Sequence, residues 1–370
     1  MKKARLMNRP EDYKKLGVKP NIVEPWEDGR RDDARAGAFE WWYFDTILED
    51  GTKLVITFAP KPSEKSAQEG ASPFVHIDMT FPDGASKVVR FDYEEKEATF
   101  SKEGCDIKIG PNCLKGNLKE YDMHIEALGG SGVDFHFTST STPWRPETGY
   151  FAFGDNDEQY FTWLCAMPRG IVEGTLTLDG AQRKVAGTAY HDHQWGNIIH
   201  YFSWNHWLWA RQNMGDYNLL VFDLVANKNF GYQHYPVCLI EDKDGNIIFE
   251  NTKNVKFEVI EEYLQPQTGK YYPKHVKYTF EHDGKHVEYS LKVKDEIDIK
   301  NIYEAGGETG KAMFDKFDLQ PTYTRYEGAG ELKINDSGTL IEREGNLIYE
   351  FVYCGKSYRN LKETNENGSE

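Results

Sequence analysis

The sequence predicts an all-β protein built from two tandem β-barrel or β-sandwich domains. Three observations carry this: short strand-forming runs along the whole chain, Asp-Gly punctuation between them, and a pattern that recurs at a fixed offset. The runs are rich in Val, Ile, Phe, Tyr and Thr, which suit a pleated, half-buried surface. Between them stand Asp50-Gly51, Asp83-Gly84, Asp179-Gly180, Asp244-Gly245 and Asp283-Gly284. Asp-Gly is the signal of a type I′ hairpin turn, whose two central residues both need positive φ. Long, capped segments of 3.6-residue period are missing, so helices are expected to be few and peripheral. A chain of 370 residues also exceeds what one hydrophobic core usually serves.

The recurrence supplies the domain count. Phe39 to Phe58 aligns with Trp204 to Phe222, because Gly51 with Gly215 and Phe58 with Phe222 share an offset of 164 residues. The hairpin around Gly84 answers that around Gly245, and Gly174 to Leu178 answers Gly330 to Ile334. Three matches in the same order point to a duplicated domain. The expected divisions are a polar extension over 1–35, a first domain over 36–196, a second over 200–357 and a tail over 358–370. Lys61 to Ser72 reads as a solvated loop. Asp295 to Pro321, with Gly306-Gly307, reads as a flap or short helix over a barrel mouth.

A net charge of −16 argues against nucleic acid and anionic lipid as partners, since both need a clustered basic face. With 14% aromatic residues and a mean hydropathy of −0.69, a hydrophobic small molecule is the better-matched ligand. No stretch is apolar enough to span a bilayer, and Met1 to Pro20 lacks the apolar run of a secretory signal, so a cytoplasmic location is expected. Cys105, Cys113, Cys165, Cys238 and Cys354 contain no CxxC pair and read as reduced thiols. There is no Ser nucleophile elbow, P-loop or dinucleotide fingerprint, which weakens hydrolase, kinase and dehydrogenase readings.

Chemistry concentrates where the repeats differ. The first repeat ends in Tyr190-His191-Asp192-His193-Gln194-Trp195-Gly196, whereas the second ends in Tyr349 to Gly355 without His or Asp. On a strand, His191 and His193 share one face and Asp192 takes the other. Three readings are open: a metal site, for which the His-x-His pair lacks a third ligand at a familiar spacing; acid–base chemistry by His191, Asp192 or His193; and a hydrogen-bonded corner that locks the repeat junction. Around the segment lie Trp41, Trp42, Tyr43, Phe44, Trp195, Trp204, Trp207 and Trp209. Core packing accounts for many of them, but apolar residues on both faces of Glu40 to Tyr43 and of Trp204 to Trp209 would also wall a cavity between the domains. Such walls bind polyenes and stabilise a carbocation by about 2 kcal/mol or more when desolvated. Glu40, Asp45, Arg211 and Asp223 are the ionisable candidates beside this wall, and Arg211 with Asp223, on adjacent hairpin strands, reads as an ion pair or as a catalytic pair.

Glu40-Trp41-Trp42-Tyr43, the His-x-His-x-Trp-Gly block at His191 to Gly196 and the Trp-x-Trp run from Trp207 to Gly215 resemble the lipocalin-like family of hydroxyneurosporene synthase (carotenoid hydratase) and AttH proteins, which includes cofactor-free Diels–Alderases. The resemblance covers about residues 36 to 357. It implies two lipocalin-like (calycin-type) domains, a hydrophobic substrate in or between them, and no metal or organic cofactor. In the hydratase branch it implies protonation of an isoprenoid double bond and capture of the cation by water. His193 and Trp195 match the motif there, Asp223 falls where that branch has an acid, and Val221 replaces a tyrosine.

The expected function is acid-assisted hydration or cyclisation of an isoprenoid or polyene. Asp192 or Asp223 would be the proton donor, His193 would tune it, His191 would assist, and Glu40, Trp41, Trp42, Tyr43, Trp195, Trp204, Trp207, Trp209 and Arg211 would line the pocket. A pericyclase that polarises a carbonyl by hydrogen bonds and a non-catalytic binder of a hydrophobic metabolite are the alternatives.

Overall fold

A computed structural model describes residues 3–251, 255–282 and 284–357 of the chain. The expected tail over 358–370 and Asp283 lie outside the described residues. The chain divides into two compact units, one over Arg5–Ile199 and one made of His200–Glu370 with Met1–Ala4.

In the first unit the antiparallel sheet runs, in spatial order, through Ser86–Asp92, Phe74–Thr80, Lys53–Ala59, Phe39–Leu48, Ala181–Gly196, Gln159–Leu178, Gly132–Ser139, Glu120–Ile125, Asn112–Gly116, Asp106–Ile109 and Ala98–Phe100. Alternation of buried and half-buried residues, as in Phe74–Thr80, gives such strands one apolar face, whereas residues 161–168 of the longest strand are buried on both. Those faces curl round one core in which Ile77, near one end of the sheet, joins Ile107, near the other.

The second unit repeats the order with Ile247–Asn251, His234–Asp242, Tyr217–Ala226, Trp204–Asn213, Thr339–Tyr353, Thr322–Asp336, Lys285–Lys300, Lys270–His282 and Val255–Gln265. Phe39–Leu48 and Trp204–Asn213 are the leading strands of the two units. Ala181–Gly196 and Thr339–Tyr353, which pair with them, are the closing strands.

The hairpins correct one expectation. At Asp179-Gly180 both residues have positive φ, as type I′ requires. At Asp50-Gly51, Asp83-Gly84 and Asp244-Gly245 only the glycine does, and its N–H closes back on Leu48, Phe81 and Asp242. These three-residue loops end in a left-handed glycine, the geometry Asp-Gly also serves.

Residues 5–35 are not an accessory extension. Pro10–Leu16 forms a helix and Pro25–Asp28 a single 3₁₀ turn. Pro25 stands at the first position of that turn, where a missing N–H costs nothing, and Glu27 reaches back to the Glu24 N–H at 2.9 Å. Gly29 lets this arm pass close to the sheet, since a Cβ there would sit 2.8 Å from the Lys102 carbonyl carbon. Of the expected flap, residues up to Lys300 extend a strand, and Ile302–Ala305 and Gly307–Lys316 are helical. Among the described residues no helix is long and apolar enough to cross a membrane.

Candidate functional site

The closing strand of the first unit carries two polar clusters, one on each face. His191, His193 and Trp195 point to the sheet interior with Trp42 and Phe44, while Tyr190, Asp192 and Gln194 point the other way. This follows from the period of two.

On the interior face both imidazoles are sealed. His191 lies flat on Phe44 at 4.0 Å and His193 on Trp42 at 4.4 Å. The His191 Nδ1–H donates to the Tyr43 carbonyl at 2.9 Å, and Nε2 lies 3.3 Å from Asp28 Oδ2. That carboxylate also accepts the Tyr121 hydroxyl at 2.8 Å, and the Asp28 carbonyl accepts the Trp42 indole N–H at 2.8 Å. His193 Nε2 is 3.0 Å from Glu40 Oε1, and Glu40 accepts the backbone N–H groups of Arg31 and Asp32 at 2.6 and 3.2 Å. Burial raises the Glu40 carboxyl to about 8 and lowers His193 to about 3. Both shifts favour an uncharged pair, in which Glu40 keeps its proton and hydrogen-bonds to a neutral imidazole. Nearby, Arg145 Nε donates to Glu27 at 2.6 Å, with both side chains buried. This cluster ties the arm from Lys19 to Asp32 into the sheet.

On the other face Asp192 accepts the Tyr190 hydroxyl at 2.8 Å, the Trp163 indole N–H at 3.3 Å and the Gln194 amide at 3.3 Å. Burial raises its carboxyl to about 6, against the pull of those donors and of His191. It is thus a carboxyl poised near neutrality, set among Trp163, Tyr190 and Tyr43, whose ring meets Tyr190 edge-on at 6.4 Å. Such a group can give a proton and, once ionised, already has donors for the charge it acquires.

In the second unit Asp223 faces the interior. It accepts the Tyr278 hydroxyl at 2.8 Å and is hydrogen-bonded to His234 Nε2. Burial opposes protonation of His234, but this carboxylate overrides it and raises the imidazole.

Several expectations change here. His193 does not hydrogen-bond to Asp192, which occupies the opposite face of the strand, and its ring nitrogen meets Glu40 instead. Arg211 and Asp223 do not pair. Arg211 stands opposite Leu220, on the face of Trp207 and Trp209, whereas Asp223 stands opposite Leu208 on the interior face. The aromatic residues also divide. Trp42 and Trp195 are interior, Trp195 donating to the Tyr150 hydroxyl at 3.2 Å, while Trp41 and Tyr43 lie on the Asp192 face. Trp204 is buried edge-on to Tyr235, and Trp207 donates to Glu350 at 3.1 Å. Sequence reading missed Asp28, Tyr121 and Trp163. Tyr190 and Gln194 were signalled by their i±2 relation to Asp192, but no local pattern marks Asp28, which is 163 residues from His191. Among the described residues no group of three or more His, Cys, Asp or Glu is arranged to hold a metal ion.

Two curled antiparallel sheets in tandem, with a His-x-His closing strand in the first, define a protein of the two-unit lipocalin-like class. The chain belongs to the AttH-like family, whose profile matches residues 20–303. It is 22% identical over 231 residues to the quinolone epoxide rearrangement protein asqO of Emericella nidulans, covering 58% of this chain and 60% of that relative. It is 27% identical over 209 residues to a hydroxyneurosporene dehydrogenase of Chlorobaculum tepidum, covering 47% and 53%. The chain therefore spans well under two thirds of these relatives. The fold is similar to that of CghA crystallised with Sch210972, with a TM-score of 0.61 and 14% identity over 91% of this chain and 94% of that one.

Proposed function

We propose that this chain is a cofactor-independent enzyme of secondary metabolism that performs an acid-assisted rearrangement, cyclisation or hydration of a hydrophobic small molecule, with Asp192 as the proton donor. The observation that carries this reading is the Asp192 carboxyl, raised to about 6 by burial yet ringed by three donors. The names of the relatives, an epoxide rearrangement protein and a hydroxyneurosporene enzyme, support a strained or polyene substrate.

In the proposed step the Asp192 O–H adds its proton to an epoxide oxygen or a terminal alkene carbon. The electron pair of the bond that opens leaves a tertiary cation on the substrate. Tyr190, Trp163 and Gln194 then hold the carboxylate, and aromatic faces such as Trp163 and Tyr43 shield the cation. Capture by water with loss of that water's proton, or ring closure that moves the cation followed by loss of a neighbouring C–H proton whose electron pair forms the new double bond, completes the reaction, and the proton released returns to Asp192. His191, His193 and Glu40 act as positioning residues that fix the register of the closing strand.

The test is turnover by Asp192→Asn on an epoxide or polyene that the wild type converts. Activity should fall by about 10²–10⁴-fold, and the wild-type rate should decline as pH rises through about 6, because the acid form is lost. An Asp192→Asn enzyme with full turnover would remove this residue from the mechanism.

A further inference from the structure

The interior histidine cluster takes no direct part in the proposed step, yet its hydrogen bonds define a charge. Both nitrogens of His191 face acceptors. Nδ1 lies 2.9 Å from the Tyr43 carbonyl, which can only accept, and Nε2 lies 3.3 Å from Asp28 Oδ2. An imidazole carries one N–H when neutral and two when charged, so a ring set between two acceptors holds both protons.

The alternative, a protonated Asp28 giving a hydrogen bond to a neutral His191, is opposed by the other groups around that carboxyl. Tyr121 donates to Oδ2 at 2.8 Å. His193 turns Nε2 to Glu40, which burial keeps protonated, so the hydrogen of His193 is on Nδ1, 3.5 Å from Asp28 Oδ1. A carboxyl surrounded by donors is held in its ionised form. His191 also lies parallel to the Phe44 ring at 4.0 Å, and an aromatic face favours a cation.

This charge is sealed and close to the proposed acid. The His191 and Asp28 side chains are 0% and 1% exposed, and salt screens buried charges much less than exposed ones. Asp192 is the next residue of the same strand, with its side chain on the opposite face. There it meets Tyr190 and Gln194 of its own strand and Trp163 of the neighbouring one, where Cys165 adjoins Tyr190. His191 is the cation among the groups that lower the Asp192 carboxyl, and from the interior side the same cation disfavours a charge on His193.

We propose that the arm is part of the acid: Asp28 keeps His191 an imidazolium, and this fixed charge, carried by the residue next to Asp192, sets how readily Asp192 gives up its proton. The inference rests on the reading of Asp192 as the proton donor. Asp28 and His191 are positioning residues within it, since they act through Asp192 and do not touch the substrate.

The test follows the side-chain carboxyl carbon of Asp192 by ¹³C NMR of the full-length protein, assigned by its loss in Asp192→Asn, as a function of pH. Asp28→Asn places before Nε2 an amide that can donate, so His191 becomes neutral. The Asp192 midpoint should then rise above its wild-type value of about 6. The expected rise is about one pH unit, the effect of one nearby charge at an effective dielectric of about 20. His191→Gln removes the same charge and should give the same rise. The double variant should shift no further, because both changes act through one cation. If one single variant does not fold, the other carries the prediction alone. A midpoint left in place or lowered in a folded variant, or shifts that add in the double variant, would overturn the proposal. Loss of packing alone would lower the unfolding temperature and leave the midpoint where it is. The titration needs no substrate, so a failed coupling and a failed assignment of Asp192 as the donor, read from Asp192→Asn turnover, are separate results.

Discussion

At the same point of the repeat, both units set a histidine against an aromatic ring, but on exchanged strands. In the first, Trp42 of the leading strand faces His193 of the closing strand at 4.4 Å. In the second, His206 of the leading strand faces Tyr353 of the closing strand at 5.2 Å. The ring pair is kept while its polar surroundings are not. His193 meets the carboxyl of Glu40, whose other bonds come from the arm. His206 Nδ1 meets the neutral amide of Asn205, and Tyr353 donates to the Tyr271 carbonyl at 2.8 Å. A curled sheet thus tolerates either an interior tied by buried carboxyl groups or one packed with aromatic rings, because the stacking that fills the core does not depend on which strand supplies which ring.

Four changes would break or sharpen this contrast. The largest effect is expected from Asp192→Asn, which lies on the other side of the closing strand from the histidines. Turnover should fall by about 10²–10⁴-fold, and a null result would return the chemistry to the histidine face. Next is Arg145→Ala, which leaves Glu27 buried without its partner. It should cost about 3–5 kcal/mol in denaturant unfolding, and a loss within error would mean that the arm is not held through this pair. Third, the Glu40 carboxyl is raised from 4.5 to about 8 by burial. A raised folded-state value gives stabilisation that is complete below the unfolded value and lost as pH rises through the folded one. Thermal unfolding of the wild type should therefore drop between about pH 5 and 9, and Glu40→Gln, which cannot ionise, should flatten that slope. The smallest effect is expected from Tyr353→Phe, which keeps the ring against His206 and removes one hydrogen bond, at about 1 kcal/mol. A much larger loss would show that the hydroxyl, and not the stack, organises the second interior.

Much of this arrangement is legible in the residues. The alternation in Phe39–Leu48 and the offset of 164 residues locate the leading strands and the hairpins that follow them, since Lys53 and Tyr217 open the next strands at that same spacing. The opposite facing of Asp192 and His193 follows from strand geometry alone. What the residues conceal is the arm. Glu24 to Asp32 carries four acidic side chains and reads as solvated, yet Glu27, Asp28 and Asp32 are buried. Their distant partners are not marked locally, as with Arg145 for Glu27 and Tyr121 for Asp28. The opposite facing of Arg211 and Asp223 is hidden for a simpler reason: adjacency of their strands in the chain does not carry the register that sends them to opposite faces.

The arm has a consequence for synthesis. Asp28 emerges from the ribosome well before His191, from which it is separated by 163 positions, so at about 5–20 residues per second the carboxylate waits roughly 8–30 s for its imidazole. Until then the first sheet has no closing strand to receive the arm. Completion of this half is thereby marked by a contact between its beginning and its end, and a chain that lacks its closing strand leaves Asp28 without the imidazole it meets in the finished unit.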